Sequence, residues 1–565
     1  MRPWLRFVML AALPLGASWW VGGCGSDSSN EGGAGGGTFD AGAGGGRFDA
    51  GATPSDTGNS AVDAGQPLPP EIEEVRSFEA PQAGVRAVYV ANPSRDSVAV
   101  IDSQSLTIQT VEAGDGPTYL ATLPGRDVAL TINVNANTMT ILRTEGGVTR
   151  TRQLPVVRNA NAIAVAPDGR HAVVWLDTSR PNRGVPAGSF QDVTLVTFGD
   201  TPEADRAVQL SVGFRPLEVI FSRNSAAGFV VTEDGVSLLR FEAITGPTIV
   251  PSVSLGLNEF VPAADAGVVD AAVPSLERDA RPSDVSVTPD GRYAVARVEG
   301  SRYLRLIDLE SRQVRILDAG ATVTDLDLTA DGRSALAVLR EQSTVLRVAV
   351  PSGFDTPAQV ERVALTGELV GSVTASPDGR LAVLYTTAAP VERAVLLDLA
   401  GRSPPAVIRL RKTVRSVTFS PDSRTVMVVH NRTDGAPGAP ETDLEAQIDR
   451  AWGYTLIDTA TRFAKLQLTP ATVGPFALNA DGSYAFVLLR DDSARVATVQ
   501  RVTLANFAVQ DIVLGSPPTS VGTIAGTMRA FVGQLHPEGR ITFIDQATGA
   551  LQSVTGFELN SRIVN

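Results

Sequence analysis

Residues 281–314 read RPSDVSVTPDGRYAVARVEGSRYLRLIDLESRQV, and residues 368–401 read ELVGSVTASPDGRLAVLYTTAAPVERAVLLDLAG. Each stretch is four short runs rich in Val, Leu, Ile and Ala, separated by Pro-Asp-Gly and other turn signals. Runs of this length and composition are β-strands, and the turns between them fit hairpins. The unit recurs about ten times from residue 86 to residue 565, roughly every 40–65 residues. The expected fold class is therefore all-β: one large β-propeller of about ten four-stranded units, with seven or eight blades as the alternative.

Aligning the units on the Pro-Asp-Gly turn shows which strand is innermost. Four positions before the proline stand Leu120, Ile163, Val219, Val285, Leu326, Val373, Val417, Phe476, Val521 and Ile563, all apolar. Small residues such as Ala121, Ala164, Ser286, Thr374 and Gly522 follow them. A strand with one deeply buried side and close approach on the other suits the crowded axis of a propeller. Pro117, Pro216, Pro282 and Pro518 recur seven positions before the turn, where a strand can begin without a donor. Apolar-Asp pairs at Ile101-Asp102, Ile307-Asp308, Leu397-Asp398, Ile457-Asp458 and Ile544-Asp545 end the third strand and open a turn. The first unit, 85–111, lacks an innermost strand, and residues 560–565 read as only that strand. Pairing of the two termini would close the ring and leave no free sheet edge.

Val88-Tyr89-Val90-Ala91-Asn92, followed by Ser97-Val98-Ala99-Val100-Ile101-Asp102, resembles the YVTN-type propeller repeat, with alanine in place of the threonine. The resemblance covers most of residues 85–565 and implies a propeller. Its members are similar both to surface proteins and to lactonase-like enzymes, so it implies no single activity. The Trp-Asp and Gly-His marks of WD40 repeats and the double glycines of kelch repeats are absent.

Residues 1–24 read as an export leader: Arg2 and Arg6, an apolar stretch from Phe7 to Trp20, then Val21-Gly22-Gly23-Cys24. The last four resemble a bacterial lipobox, which implies a diacylglycerol thioether on Cys24. Cys24 is the only cysteine in 565 residues, so no internal disulfide forms. Residues 25–80, rich in Gly, Ala, Ser and Asp, hold too few apolar side chains to order and read as a flexible linker. The expected organisation is a leader at 1–24, the linker at 25–80 and the propeller at 81–565. The expected location is the cell envelope, anchored to the outer membrane on its periplasmic side or at the cell surface. Gly25 is not the aspartate that retains some lipoproteins in the inner membrane.

The net charge of −13 argues against nucleic acid as a partner. Three histidines, His171, His430 and His536, lie far apart, and no Gly-x-Ser-x-Gly elbow, phosphate loop or Cys-x-x-Cys-His motif is present. These absences favour a non-enzymatic role. Two regions remain as sites. Chain direction places 177–192, 256–281 and 431–452 on one face of the ring, where long loops suit a protein or small-molecule ligand. Glu218, Asp284 and Asp325, five positions before the turn in consecutive units, would gather at the channel mouth with Arg562. Such carboxylates would either hold Ca²⁺ through oxygen ligands or remain solvated; no other cofactor or metal is indicated. The leading expectation is a lipid-anchored binding or scaffolding module. A lactonase-like hydrolase at the channel mouth and a structural or adhesive surface protein are the alternatives.

Overall fold

In a computed structural model, residues 80–180, 188–255, 282–434, 440, 442–490, 497–536 and 538–557 are described, together with the backbone of Trp19–Val21. Ten separate antiparallel sheets follow one another along the chain, spanning 82–112, 117–155, 162–211, 216–254, 282–318, 325–364, 372–409, 414–469, 472–513 and 518–555. They are blades 1 to 10, and the count of ten stands over seven or eight. Within each blade the strands pair in sequence order, the first against the second and so outward. The outermost strands carry alternating exposed residues, as in Val148–Pro155, whereas second strands such as Ser334–Leu339 are buried throughout.

The apolar alternation becomes ten hydrophobic clusters, and each lies between two neighbouring blades. Val295, Leu304 and Leu306 of blade 5 pack with Leu326, Ala337 and Leu346 of blade 6. Leu336 and Val338, on the other face of the same blade 6 strand, pack with Val373, Leu384 and Val395 of blade 7. Every blade is thus buried on both faces, which explains the near-continuous Val, Leu and Ala runs of the second strands. The tenth cluster joins Ile524, Phe531 and Phe543 of blade 10 to Val88, Ala99 and Ile101 of blade 1, and the ring is closed.

The seam differs from the sequence-based expectation. Gln82–Ala83 forms the inner strand of blade 1, pairing with Tyr89 and Val88. This is the position the sequence reading gave to 560–565, and residues 558–565 lie outside the described residues. Two paired residues suffice there because side-chain packing and loop bonds secure the joint. The Gly526 N–H donates to the Val85 carbonyl at 2.7 Å, and Arg529 donates to the Ser103 carbonyl. A Cβ on Gly526 would stand 2.3 Å from Val85 Cγ1, so the approach needs glycine.

Two further departures from four strands per blade occur. Thr248–Ile249 adds in parallel to the outer strand of blade 3, and Trp19–Val21 pairs with the inner strand of blade 9.

The turns behave as their residue types dictate. Thr288 Oγ1 donates to Asp290 Oδ1 at 2.6 Å and accepts the Tyr293 N–H at 3.0 Å, closing the Pro-Asp-Gly hairpin. Ser376 with Asp378, and Ser420 with Asp422, repeat the same bond at 2.6 Å. At the third-strand turns, Asp308 accepts the N–H groups of Glu310 and Ser311, and Asp545 those of Ala547 and Thr548. The repeated aspartates therefore serve turns.

Candidate functional site

Four inner strands begin with a proline, and each of these then carries a bulge. Register shifts occur between Pro117 and Tyr119, Pro216 and Glu218, Pro282 and Asp284, and Pro518 and Ser520. A bulge re-aims the residue that follows it. Glu218 and Asp284, each just after a bulge, are buried at 5% and 2% exposure; Asp325, in a strand of regular register, is buried at 1%, and none of the three stands in solvent around the channel.

Asp284 and Asp325 have structural partners in neighbouring strands. Asp284 forms an ion pair with Arg297 of the adjacent strand in its own blade, and Arg297 also reaches the Val323 carbonyl at 3.3 Å. Asp325 Oδ2 accepts the N–H of Val373, in the inner strand of blade 7, at 2.6 Å. Two residues on, Asp327 Oδ2 accepts the N–H of Ala375 at 2.8 Å. Thr324 Oγ1 adds a bond to the Gly371 carbonyl at 2.7 Å. Blade 6 therefore satisfies the free inner edge of blade 7 with side chains. Among the described residues no group of three or more His, Cys, Asp or Glu is placed to hold a metal ion. Arg562, Cys24, Gly22 and Gly23 lie outside the described residues, and Val21 is placed only by its backbone.

The three histidines are not brought together. His171 stacks on Phe241 between blades 3 and 4, with ring centroids 4.2 Å apart, and burial lowers its pKa. His430 is buried in blade 8, and His536 lies on the second-to-third-strand loop of blade 10.

The loop face is more built than the inner strands. The insertion 177–192 connects the second and third strands of blade 3, and its stem is fixed by a reciprocal pair with Asn161. The Asp177 N–H donates to Asn161 Oδ1 at 2.7 Å, and Asn161 Nδ2 donates to the Asp177 carbonyl at 2.9 Å. Arg180 returns to Asp177 Oδ2 at 2.8 Å. On the far stem Phe190 meets Phe214 edge-on, and Phe214 is 44% exposed. Residues 181–187 and the whole of 256–281 lie outside the described residues.

The insertion 431–452 contains a helix, Leu444–Arg450, that the sequence reading did not identify; residues 435–439 and 441 lie outside the described residues. Asp443 caps it by accepting the Glu445 N–H, and Ala446 and Ile448 are its buried side. Its last turn rests on Lys412, whose ammonium donates to the carbonyls of Ile448 at 2.7 Å and Asp449 at 3.0 Å. A cation at a helix C-terminus is stabilised by the helix dipole. Lys412 is one of only two lysines in the chain and is nearly fully buried. Burial lowers its pKa, against the attraction of Asp449 and Glu392. Leu444 projects from the same helix at 65% exposure. Asp443 immediately before the Leu-Glu-Ala-Gln run was the available signal for this helix.

A row of hydroxyls secures the connections between blades without a local sequence signature. The third residue of the third strand is a hydroxyl in blades 2, 3 and 4: Thr140, Thr194 and Ser237. These accept the N–H groups of Gly114, Val157 and Gly213 at 3.2, 2.9 and 3.1 Å, fixing the connections between blades.

No family model and no curated protein matches this chain. Solved structures match this chain at low identity. Hydrazine synthase of Kuenenia stuttgartiensis is 14% identical, with a TM-score of 0.32 over 60% of this chain and 95% of that one. The dihydro-heme d1 dehydrogenase NirN is 14% identical, with a TM-score of 0.39 over 81% and 79%. A eukaryotic initiation factor is 12% identical, with a TM-score of 0.47 over 84% and 97%. Proteins so different in role, at such identity, assign no activity to this chain.

Proposed function

We propose that this protein is a lipid-anchored component of a bacterial envelope whose ten-bladed propeller is a binding or scaffolding module, with the loop face as its working side. The anchor reading rests on Val21-Gly22-Gly23-Cys24 and the absence of any other cysteine. Membership among YVTN-type propellers belongs to the same proposal. Its motif residues form the second and third strands of blade 1, Ala87–Asn92 and Ser97–Asp102.

The observation that carries the binding role is the helix Leu444–Arg450, capped by Asp443 and secured by buried Lys412 on the loop face. A buried lysine is costly to desolvate, so a fixed platform with an exposed Leu444 is a specific construction. A lactonase-like site loses support, because Asp284 and Asp325 already serve Arg297 and the Val373 N–H. The test places a photo-crosslinking residue at Leu444 and, in parallel, at Asp290 on the opposite face. Capture of one envelope protein from position 444 alone supports the proposal. Equal capture from both faces, or none from either, refutes it and turns attention to small molecules. Separately, Cys24→Ser should move the protein from the membrane fraction to the soluble fraction, and retention in the pellet removes the anchor.

A further inference from the structure

The insertion carrying Leu444–Arg450 leaves blade 8 directly after His430, the last residue of the second strand, and returns at Trp452, the first residue of the third. His430 is fully buried and spans the root of that insertion. Its Nδ1 lies 3.1 Å from the Thr413 carbonyl, on the connection arriving from blade 7, and its Nε2 lies 2.7 Å from Thr455 Oγ1 on the returning strand. A neutral ring satisfies both: Nδ1–H donates to the carbonyl, and Nε2 accepts from the hydroxyl. The Thr413 carbonyl also takes the Asn431 N–H at 3.1 Å. One residue earlier Lys412 holds the carbonyls of Ile448 and Asp449, and the Asp449 carbonyl takes the Thr433 N–H at 3.0 Å. His430, Thr413, Lys412 and the end of the helix are thus one connected latch.

We propose that this latch is acid-sensitive: protonation of His430 beside the Lys412 ammonium releases the helix Leu444–Arg450 from blade 8. The consequence for binding rests on the loop face being the working side, but the release itself needs no partner.

The charges around the latch favour this direction. Lys412 repels a proton on His430, and both direct partners of the ring are neutral, a carbonyl and a hydroxyl. Asp449 and Glu392 attract Lys412 and Arg432 repels it, while Arg411 pairs with Glu445 at 3.7 Å. Burial, reinforced by Lys412, pushes the closed-state pKa of His430 down to about 4. A solvated histidine in the released form titrates near ~6.5. The released form therefore binds the proton better. Its population rises as pH falls below ~6.5 and levels off below about 4. Between pH 7 and pH 4 the opening constant should rise on the order of 100-fold.

Hydrogen exchange of the full chain, read by mass spectrometry and divided by the intrinsic rate at each pH, measures that constant. Amides of 442–452 should lose protection on the order of 100-fold from pH 7 to pH 4, while those of 289–293 should not. In His430→Gln the pH response of 442–452 should vanish. An unchanged response in that variant, or full protection of the wild type at pH 4, overturns the proposal. Should His430→Gln fail to fold, Lys412→Met serves as the second variant. It should open 442–452 at least about 10-fold at pH 7 without touching 289–293, and wild-type protection there also overturns the latch. A confirmed latch with no partner captured from position 444 would refute the binding role alone.

Discussion

The carboxylate of Asp325 in blade 6 accepts the backbone N–H of Val373 in blade 7 at 2.6 Å, and Asp327 does the same for Ala375 at 2.8 Å. The inner strand of a blade has one edge without a strand neighbour, and a buried N–H there requires an acceptor. Side chains from the preceding blade supply it. Asp325→Ala should therefore destabilise the fold by about 1–3 kcal/mol, as expected when a buried donor loses its acceptor. Chemical denaturation measures this, with Asp168→Ala at an exposed turn as a reference. A loss of ligand binding without a loss of stability would return Asp325 to the role of a site residue.

The turns of neighbouring blades abut, and glycine sets their spacing. Gly332 has φ +70°, and a Cβ there would lie 2.3 Å from Pro289 Cδ of blade 5. Gly367 has φ +83° but nothing within 4 Å. Gly367→Ala should cost about 1–2 kcal/mol, the left-handed backbone term alone. Gly332→Ala adds a clash with a rigid ring and should cost more, by about 1–3 kcal/mol. Equal effects of the two substitutions in denaturation would show that the turns do not bear on each other.

Acid stability should follow the third-strand turns. Asp308 and Asp545 have pKa values lowered first by backbone donors, from Ser311 and Thr548 respectively. A carboxyl depressed on folding stabilises the fold above its unfolded pKa, near ~3.9, and that stabilisation is lost as pH falls through the folded value. The double variant Asp308→Asn, Asp545→Asn should be less stable than wild type at pH 7 and should lose less on going from pH 4 to pH 2. Melting temperatures across that range decide it. Parallel curves for the two proteins would exclude these turns as the source.

Blade number and the inner strands of blades 2 to 10 were legible because propeller packing repeats the same demand, whereas the inner strand of blade 1, Gln82–Ala83, is too short to show it. Leu326, Val373 and Val521 answer that demand with apolar side chains that are fully buried. The role of Asp325 was not legible, since its alignment with Glu218 and Asp284 fixes a position in the strand but not the backbone of the next blade that its carboxylate meets. Its acceptor role depends on Val373, 48 residues away, whose N–H has no signature in sequence. The helix at Leu444–Arg450 was hidden for another reason. At seven residues it cannot stand alone, and what holds it is Lys412, a residue outside its own segment.

The hydroxyl row on the third strands offers a last test. Thr194 Oγ1 accepts the Val157 N–H at 2.9 Å, whereas the equivalent residue of blade 6 is Leu346, fully buried. Blade 6 tolerates leucine because its incoming connection is bonded otherwise: the Ala319 and Val323 N–H groups donate to the Arg302 and Ser301 carbonyls, both at 3.0 Å. Thr194→Val keeps the shape of the side chain and removes the acceptor. It should destabilise by about 1–3 kcal/mol, with added hydrogen exchange confined to the connection 156–161. Thr194→Ser should restore most of the loss. A neutral Thr194→Val would mean that water replaces the hydroxyl, and the row would then owe its recurrence to strand propensity rather than to the joints between blades.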